Sequence, residues 1–98
     1  MSRKYEIEVG RPMRVRDRDA AVMATVSRNG TISLTELGAA IGKNKTTAQR
    51  ALKCCEGSGW VVTEHRTSKN GAQIENSYRL TDLGRRVLAA AQAAGIVE

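Results

Sequence analysis

Apolar residues fall into four helix-spaced stripes and two strand-like runs. Val22, Met23 and Val26 share one helical face, Asp17 stands where a cap is needed, and "RNG" (28–30) suits a left-handed stop. This predicts a helix from Asp17 to about Ser27. "TIS" (31–33) is short and β-like. Ser33 and Glu36 fit the S-x-x-E capping box ahead of a short helix, with Leu34, Leu37 and Ile41 inward and Gly42 as its stop. Asn44 can cap a third helix, whose inward stripe is Ala48, Ala51, Leu52 and Cys55 at i, i+3, i+4, i+7. "EGSG" (56–59) ends it.

"WVVTEHR" (60–66) and "IENSYRL" (74–80) read as strands around Asn70-Gly71, a strong hairpin signal. A two-residue turn there pairs Lys69 with Ala72, Thr63 with Tyr78 and Val61 with Leu80, putting the apolar-rich pairs on one face. Thr81 or Asp82 then caps a last helix with Leu83, Val87, Leu88 and Ala91 inward, ending at Gly95. Residues 1–13 show no clear period and are expected to form a flexible basic arm. Within them Gly10-Arg11-Pro12 resembles the core of minor-groove AT-hooks. The domain then spans 14–94, with a tail at 95–98. The order is helix, short β, helix, tight turn, helix, hairpin, helix. That is an α+β, mainly α fold: a winged helix-turn-helix with a three-helix core, a two-stranded wing and a C-terminal helix.

A second stripe changes the picture. Thr46, Gln49, Arg50 and Lys53 repeat the spacing of the inward stripe, shifted by two residues. Two residues are about 200° of helical rotation, so the second stripe lies nearly opposite the first. Every one of its members can donate a hydrogen bond. No acid stands between Lys43 and Lys53, whereas a solvated face usually mixes both signs. Sixteen Lys and Arg against ten Asp and Glu give the chain +6, which favours a polyanionic partner.

Other classes find little support. No run of 18 apolar residues is present to span a membrane, and "MSRKYEIEVG" lacks the apolar region of a secretory signal. Membrane-surface binding would need an amphipathic helix with bulky apolar residues opposite lysines, which is missing. The two cysteines, Cys54 and Cys55, are adjacent and cannot staple distant segments. They fit a reducing cytosol, with Cys55 as a small core residue beside an incidental neighbour, the alternative being a redox switch whose oxidation would distort their helix. With one histidine (His65) and no C-x-x-C, no metal site can be read. No phosphate-binding glycine loop or nucleophile–base pair suggests an enzyme, and no cofactor is expected. Trp60, at a helix–strand junction, is expected to be a packing anchor.

"LTELGAAIGKNKTTAQRALKCCEGSGWV" resembles the winged helix-turn-helix of bacterial transcriptional regulators of the MarR and IclR types. Leu37 and Ile41 match their short helix, Gly42 the turn, Lys45-Thr46-Thr47 the polar start of the second helix, and Arg50 and Leu52 its middle. Glu56, Gly59 and Val61 match the exit into the wing, and "YRLTDLGRRVL" (78–88) resembles the wing-to-helix segment of the MarR type. The resemblance covers roughly 14–88. Two features depart from it. Lys43 stands where an apolar residue usually follows the turn glycine. The chain also holds neither the effector domain of one type nor the long dimerisation helices of the other, so no small-molecule effector is expected.

Such a motif places its second helix in the major groove. The expected function is sequence-specific binding of double-stranded DNA by a small transcriptional regulator, through the recognition helix 44–56 and the wing 66–73. Arg50 can grip guanine O6 and N7, Gln49 adenine N6 and N7, and Thr46 a base edge or the thymine methyl. Asn44, Lys45, Thr47 and Lys53, with Arg66, Ser68, Lys69 and Asn70 of the wing, suit the backbone, the wing alternatively reaching the minor groove. A bacterial cytoplasmic setting, or a phage- or plasmid-encoded one, follows. A homodimer is expected, through helix 82–94 or helix 17–27. Two alternatives remain: a phage or plasmid accessory protein for replication, excision, partition or packaging, and a winged-helix module for protein–protein contact.

Overall fold

The structure is a computed structural model and describes residues 4–67, 71 and 73–97. In chain order these form β1 (Lys4–Glu8), β2 (Pro12–Arg16), α1 (Asp17–Asn29), β3 (Ile32–Ser33), α2 (Leu34–Ile41), α3 (Lys45–Gly57), β4 (Val61–Thr67), β5 (Gln73–Leu80) and α4 (Asp82–Ala93). The winged helix-turn-helix is present: α1, α2 and α3 form the helical core, β4 and β5 the wing, and α4 closes it. β5 is the centre of a three-stranded sheet, with β3 on one side and β4 on the other.

Local chemistry sets most boundaries. The Ser33 hydroxyl accepts the Glu36 N–H at 3.2 Å. The Glu36 carboxylate accepts the Ser33 N–H at 3.3 Å. Both halves of the capping box therefore form. Gly42 takes φ 67°. That is the left-handed conformation a helix-ending residue needs and a side chain resists. Lys43 after it is exposed, in keeping with its departure from the apolar pattern. Thr81 caps α4 by accepting the Gly84 N–H at 3.0 Å.

Three expectations are corrected. Most of the expected flexible arm is folded: β1 and β2 form an antiparallel hairpin that turns through Gly10, with Tyr5 opposite Val15 and Ile7 opposite Met13. Ile7 and Val15 are buried in the core, and that burial holds the segment. Gly10-Arg11-Pro12 lies at its turn. Second, Arg16 and not Asp17 occupies the cap position of α1; Asp17 lies in the first turn, its carboxylate accepting the Arg18 N–H at 2.7 Å. Third, α1 is the core helix. Val22, Met23 and Val26 are fully buried, and it packs on α2, α3, α4, β2 and β5, so that only Ser27, Arg28 and Asn29 at its C-terminal end are exposed to a partner.

The wing keeps the expected register at its base, with Val61 opposite Leu80 and Thr63 opposite Tyr78. Farther out the register shifts: beyond Glu64–Ser77 the next pair is Arg66–Ile74, so Glu75 and Asn76 lie opposite His65 alone. Thr67 then pairs with Gln73, one residue out of step with the two-residue turn. The Lys69–Ala72 pair falls outside the described residues.

Candidate nucleic-acid interface

α3 carries both stripes as two faces. Ala48, Ala51, Leu52 and Cys55 are buried against α1 and α2, while Thr46, Gln49, Arg50 and Lys53 are exposed. None of those four exposed side chains, nor that of Lys45, makes an ion pair or hydrogen bond among the described residues. Their donors are free to meet a ligand. The helix start is well defined: the Asn44 side-chain oxygen accepts the Thr47 N–H at 2.8 Å. The Asn44 oxygen is thus used, and only its amide group can turn outward. Thr47 is half-buried, unlike its neighbours. The other N–H groups of the first turn add a partial positive charge beside Lys45.

The wing is set against α3 at a hydrogen-bonded junction. The Trp60 N–H donates to the Cys55 carbonyl at 2.9 Å, and the Thr81 N–H to the Trp60 carbonyl at 3.0 Å. The Thr81 hydroxyl donates to the Gly59 carbonyl at 2.6 Å. Gly84 lies so close to this strand that a Cβ there would overlap the Trp60 carbonyl oxygen. Trp60 is buried, as a packing anchor is, although its indole N–H finds no partner among the described residues.

Beyond the junction the sequence singles out Arg66, Ser68, Lys69 and Asn70, and the structure adds polar ties. The Thr63 hydroxyl donates to the Glu56 carboxylate, linking β4 to α3. Glu64 pairs with Arg79 across the wing. These two are diagonal neighbours in the expected register, so that contact could have been found from the hairpin alone. His65 Nδ1 lies 3.2 Å from Asn76 Oδ1, where the strand bulges. Among the expected wing contacts, Ser68, Lys69 and Asn70 fall outside the described residues. Arg66 lies on β4.

Cys54 is exposed and Cys55 buried, neither bonded to another cysteine. Burial pushes the Cys55 thiol pKa well above its usual range, with the Asp19 carboxylate adding to the shift. Asp19 itself is buried at the first turn of α1. Loss of water raises its pKa above the ordinary 3.8, the largest effect, and Arg18 and Arg16 oppose it. Its Oδ1 lies 3.9 Å from Arg18 Nε, and neither atom has a hydrogen bond among the described residues. Among the described residues no group of three or more His, Cys, Asp or Glu could hold a metal, and no helix is long and apolar enough to cross a membrane.

No protein-family model matches the chain, and no curated protein matches it in sequence. Solved structures do match. A cysteine-to-serine mutant of MarR from E. coli superposes with a TM-score of 0.69 at 20% identity, over 83% of this chain and 58% of that one. The same mutant complexed with operator DNA gives 0.65 at 20% identity, over 79% and 54%. A further MarR family transcription regulator gives 0.71 at 24% identity, over 84% and 52%. Bacillus subtilis PadR in complex with operator DNA gives 0.62 at 16% identity, over 72% and 44%. The structural neighbours are therefore MarR-family winged-helix transcriptional regulators and PadR, at low identity, and the likeness establishes the fold. The chain spans about half the length of these neighbours.

Proposed function

We propose that this protein binds double-stranded DNA sequence-specifically and serves as a small transcriptional regulator. The observation that carries the reading is the α3 stripe: Thr46, Gln49, Arg50 and Lys53, exposed, without internal partners among the described residues, on a helix anchored by its other face. Thr46, Gln49 and Arg50 read base edges in the major groove. Lys45, Thr47, Lys53 and the outward amide of Asn44 fix the register on phosphates, and Arg66, Ser68, Lys69 and Asn70 extend that grip along the wing. The two neighbours solved with operator DNA support the partner class. No catalytic step, cofactor or small-molecule effector is part of the reading, and its setting is the cytoplasm of a bacterium.

The protein acts as a homodimer through α4, where Arg85, Arg86, Ala89 and Ala93 are exposed. The test is selection from a pool of random duplex DNA at two salt concentrations. A two-fold symmetric motif, with half-sites separated by one or more turns of DNA, is the expected result. Enrichment of no motif at either salt concentration would overturn sequence-specific binding, and a single asymmetric motif bound by a monomer in sedimentation would overturn the dimer.

A further inference from the structure

Glu56 is out of place by charge. It lies seven residues after Gln49 on the same edge of α3, three after Lys53, at the border of an otherwise cationic and neutral stripe. It is exposed and makes no ion pair among the described residues. A carboxylate beside a phosphate backbone repels it. The one hydrogen bond its side chain makes among the described residues is with the wing: its carboxylate accepts the Thr63 hydroxyl.

That contact has a particular place in the hierarchy of ties. At Gly59 and Trp60, α4 grips the root of the wing through Thr81 and Gly84. β3 holds the edge of β5, through Ile32–Tyr78 and Ser33–Ser77. Farther out, Glu64–Arg79 and His65–Asn76 join β4 to β5 and stiffen the wing without orienting it. Glu56–Thr63 is the outermost described hydrogen bond from β4 to a helix, and that helix is the one that carries the base-reading stripe.

We propose that Glu56 is a positioning residue of the DNA-binding surface: by accepting the Thr63 hydroxyl it holds the wing at the angle to α3 that lets both engage one duplex. This rests on the DNA-binding reading above. The glutamine variant separates position from charge, because a glutamine carbonyl accepts the same hydroxyl without the negative charge.

The experiment compares hydroxyl-radical footprints and salt-dependent affinity on the selected duplex for wild type, Glu56→Ala, Thr63→Val and Glu56→Gln. Glu56→Ala and Thr63→Val should lose protection where the wing lies, keep it where α3 lies, and bind about two- to tenfold more weakly, the range one hydrogen bond spans. Their log–log salt slope should become shallower by about one for each phosphate the wing no longer reaches. Glu56→Gln should keep the wild-type footprint. Two results overturn the assignment: an unchanged footprint for Glu56→Ala, or equal tightening in Glu56→Ala and Glu56→Gln, which would mean the carboxylate acts by charge alone. A wild-type protein that footprints no duplex would instead remove the DNA-binding reading, and the role of Glu56 with it.

Discussion

The described residues form two hairpins, and they are built for opposite ends. β1–β2 folds inward. Ile7 and Val15 are buried, and Tyr5, Val9 and Met13 pack partly against the core. Its outer face mixes signs, with Glu6 directly opposite Arg14 and the two side chains 3.9 Å apart. That is an ordinary solvated face, and so exposed an ion pair contributes little. β4–β5 is held at its root by Trp60, Thr81 and Gly84, and "RTSKN" (66–70) on its way to the turn carries two cations and no acid. One hairpin completes the core; the other is a limb whose outgoing strand runs into a basic stretch of sequence. On the proposed function the same backbone motif separates stability from binding, and the two should respond differently to mutation.

The largest effect is expected at the root of the wing. Gly84→Ala forces a Cβ into the Trp60 carbonyl oxygen, which is backbone and cannot swing aside. Urea denaturation should show a loss of about 3 kcal/mol or more. Ile7→Ala in the inward hairpin, where the side chain is buried, should cost about 2–4 kcal/mol in the same assay. Its DNA affinity, measured where the variant is folded, should match wild type. Weaker binding there would break the separation of roles.

Next in size is Asp19, at the junction where β2 enters α1. Its pKa is raised in the folded state, so the folded protein holds the proton more tightly than the unfolded chain. Stability should therefore fall as pH rises from the unfolded value near 3.8 through the raised folded value, and level off above it. Asp19→Asn should remove this slope and gain about 1 kcal/mol at pH 7, as a desolvated charge that its arginine neighbours only partly offset is lost. Urea melts at pH 4 and pH 7 decide it; an identical pH slope in the variant would show that Asp19 is not its source. The smallest stability effect belongs to the wing's basic residues. Arg66→Ala with Lys69→Ala should shift stability by less than about 0.5 kcal/mol. It should lower the log–log salt slope of DNA binding by about two.

Legibility in the sequence follows the strength of local signals. The capping box at Ser33 and Glu36, the Asn44 cap, the two stripes of α3 and the register of Val61 with Leu80 all depend on residues a few positions apart or on one turn, and all are present. The inward hairpin escapes such a reading although its signal exists. Tyr5, Ile7 and Val9 alternate with Lys4, Glu6 and Glu8 about Gly10, and Met13 and Val15 continue the pattern. Terminal position and Pro12, which sits at the start of β2, conceal it. The bulge opposite His65 could not be read, since a one-residue slip leaves no mark in composition. The burial of Asp19 and the Glu56–Thr63 tie are tertiary: each joins elements whose packing the pattern does not specify. Of the candidate site, the α3 stripe is visible in full, and what positions the wing against it is not.

Whether the outward stripe of α3 reads bases is decided by comparing two motifs selected from random duplex DNA, one by wild type and one by Arg50→Ala. Arg50 is exposed and holds nothing in place among the described residues, so the variant should fold as wild type does. Arg50→Ala should lose preference at one position of each half-site, at a cost of about 1–3 kcal/mol, with the rest of the motif intact. An unchanged motif, with affinity lowered equally for every sequence, would make Arg50 a backbone contact and contradict base reading by the stripe.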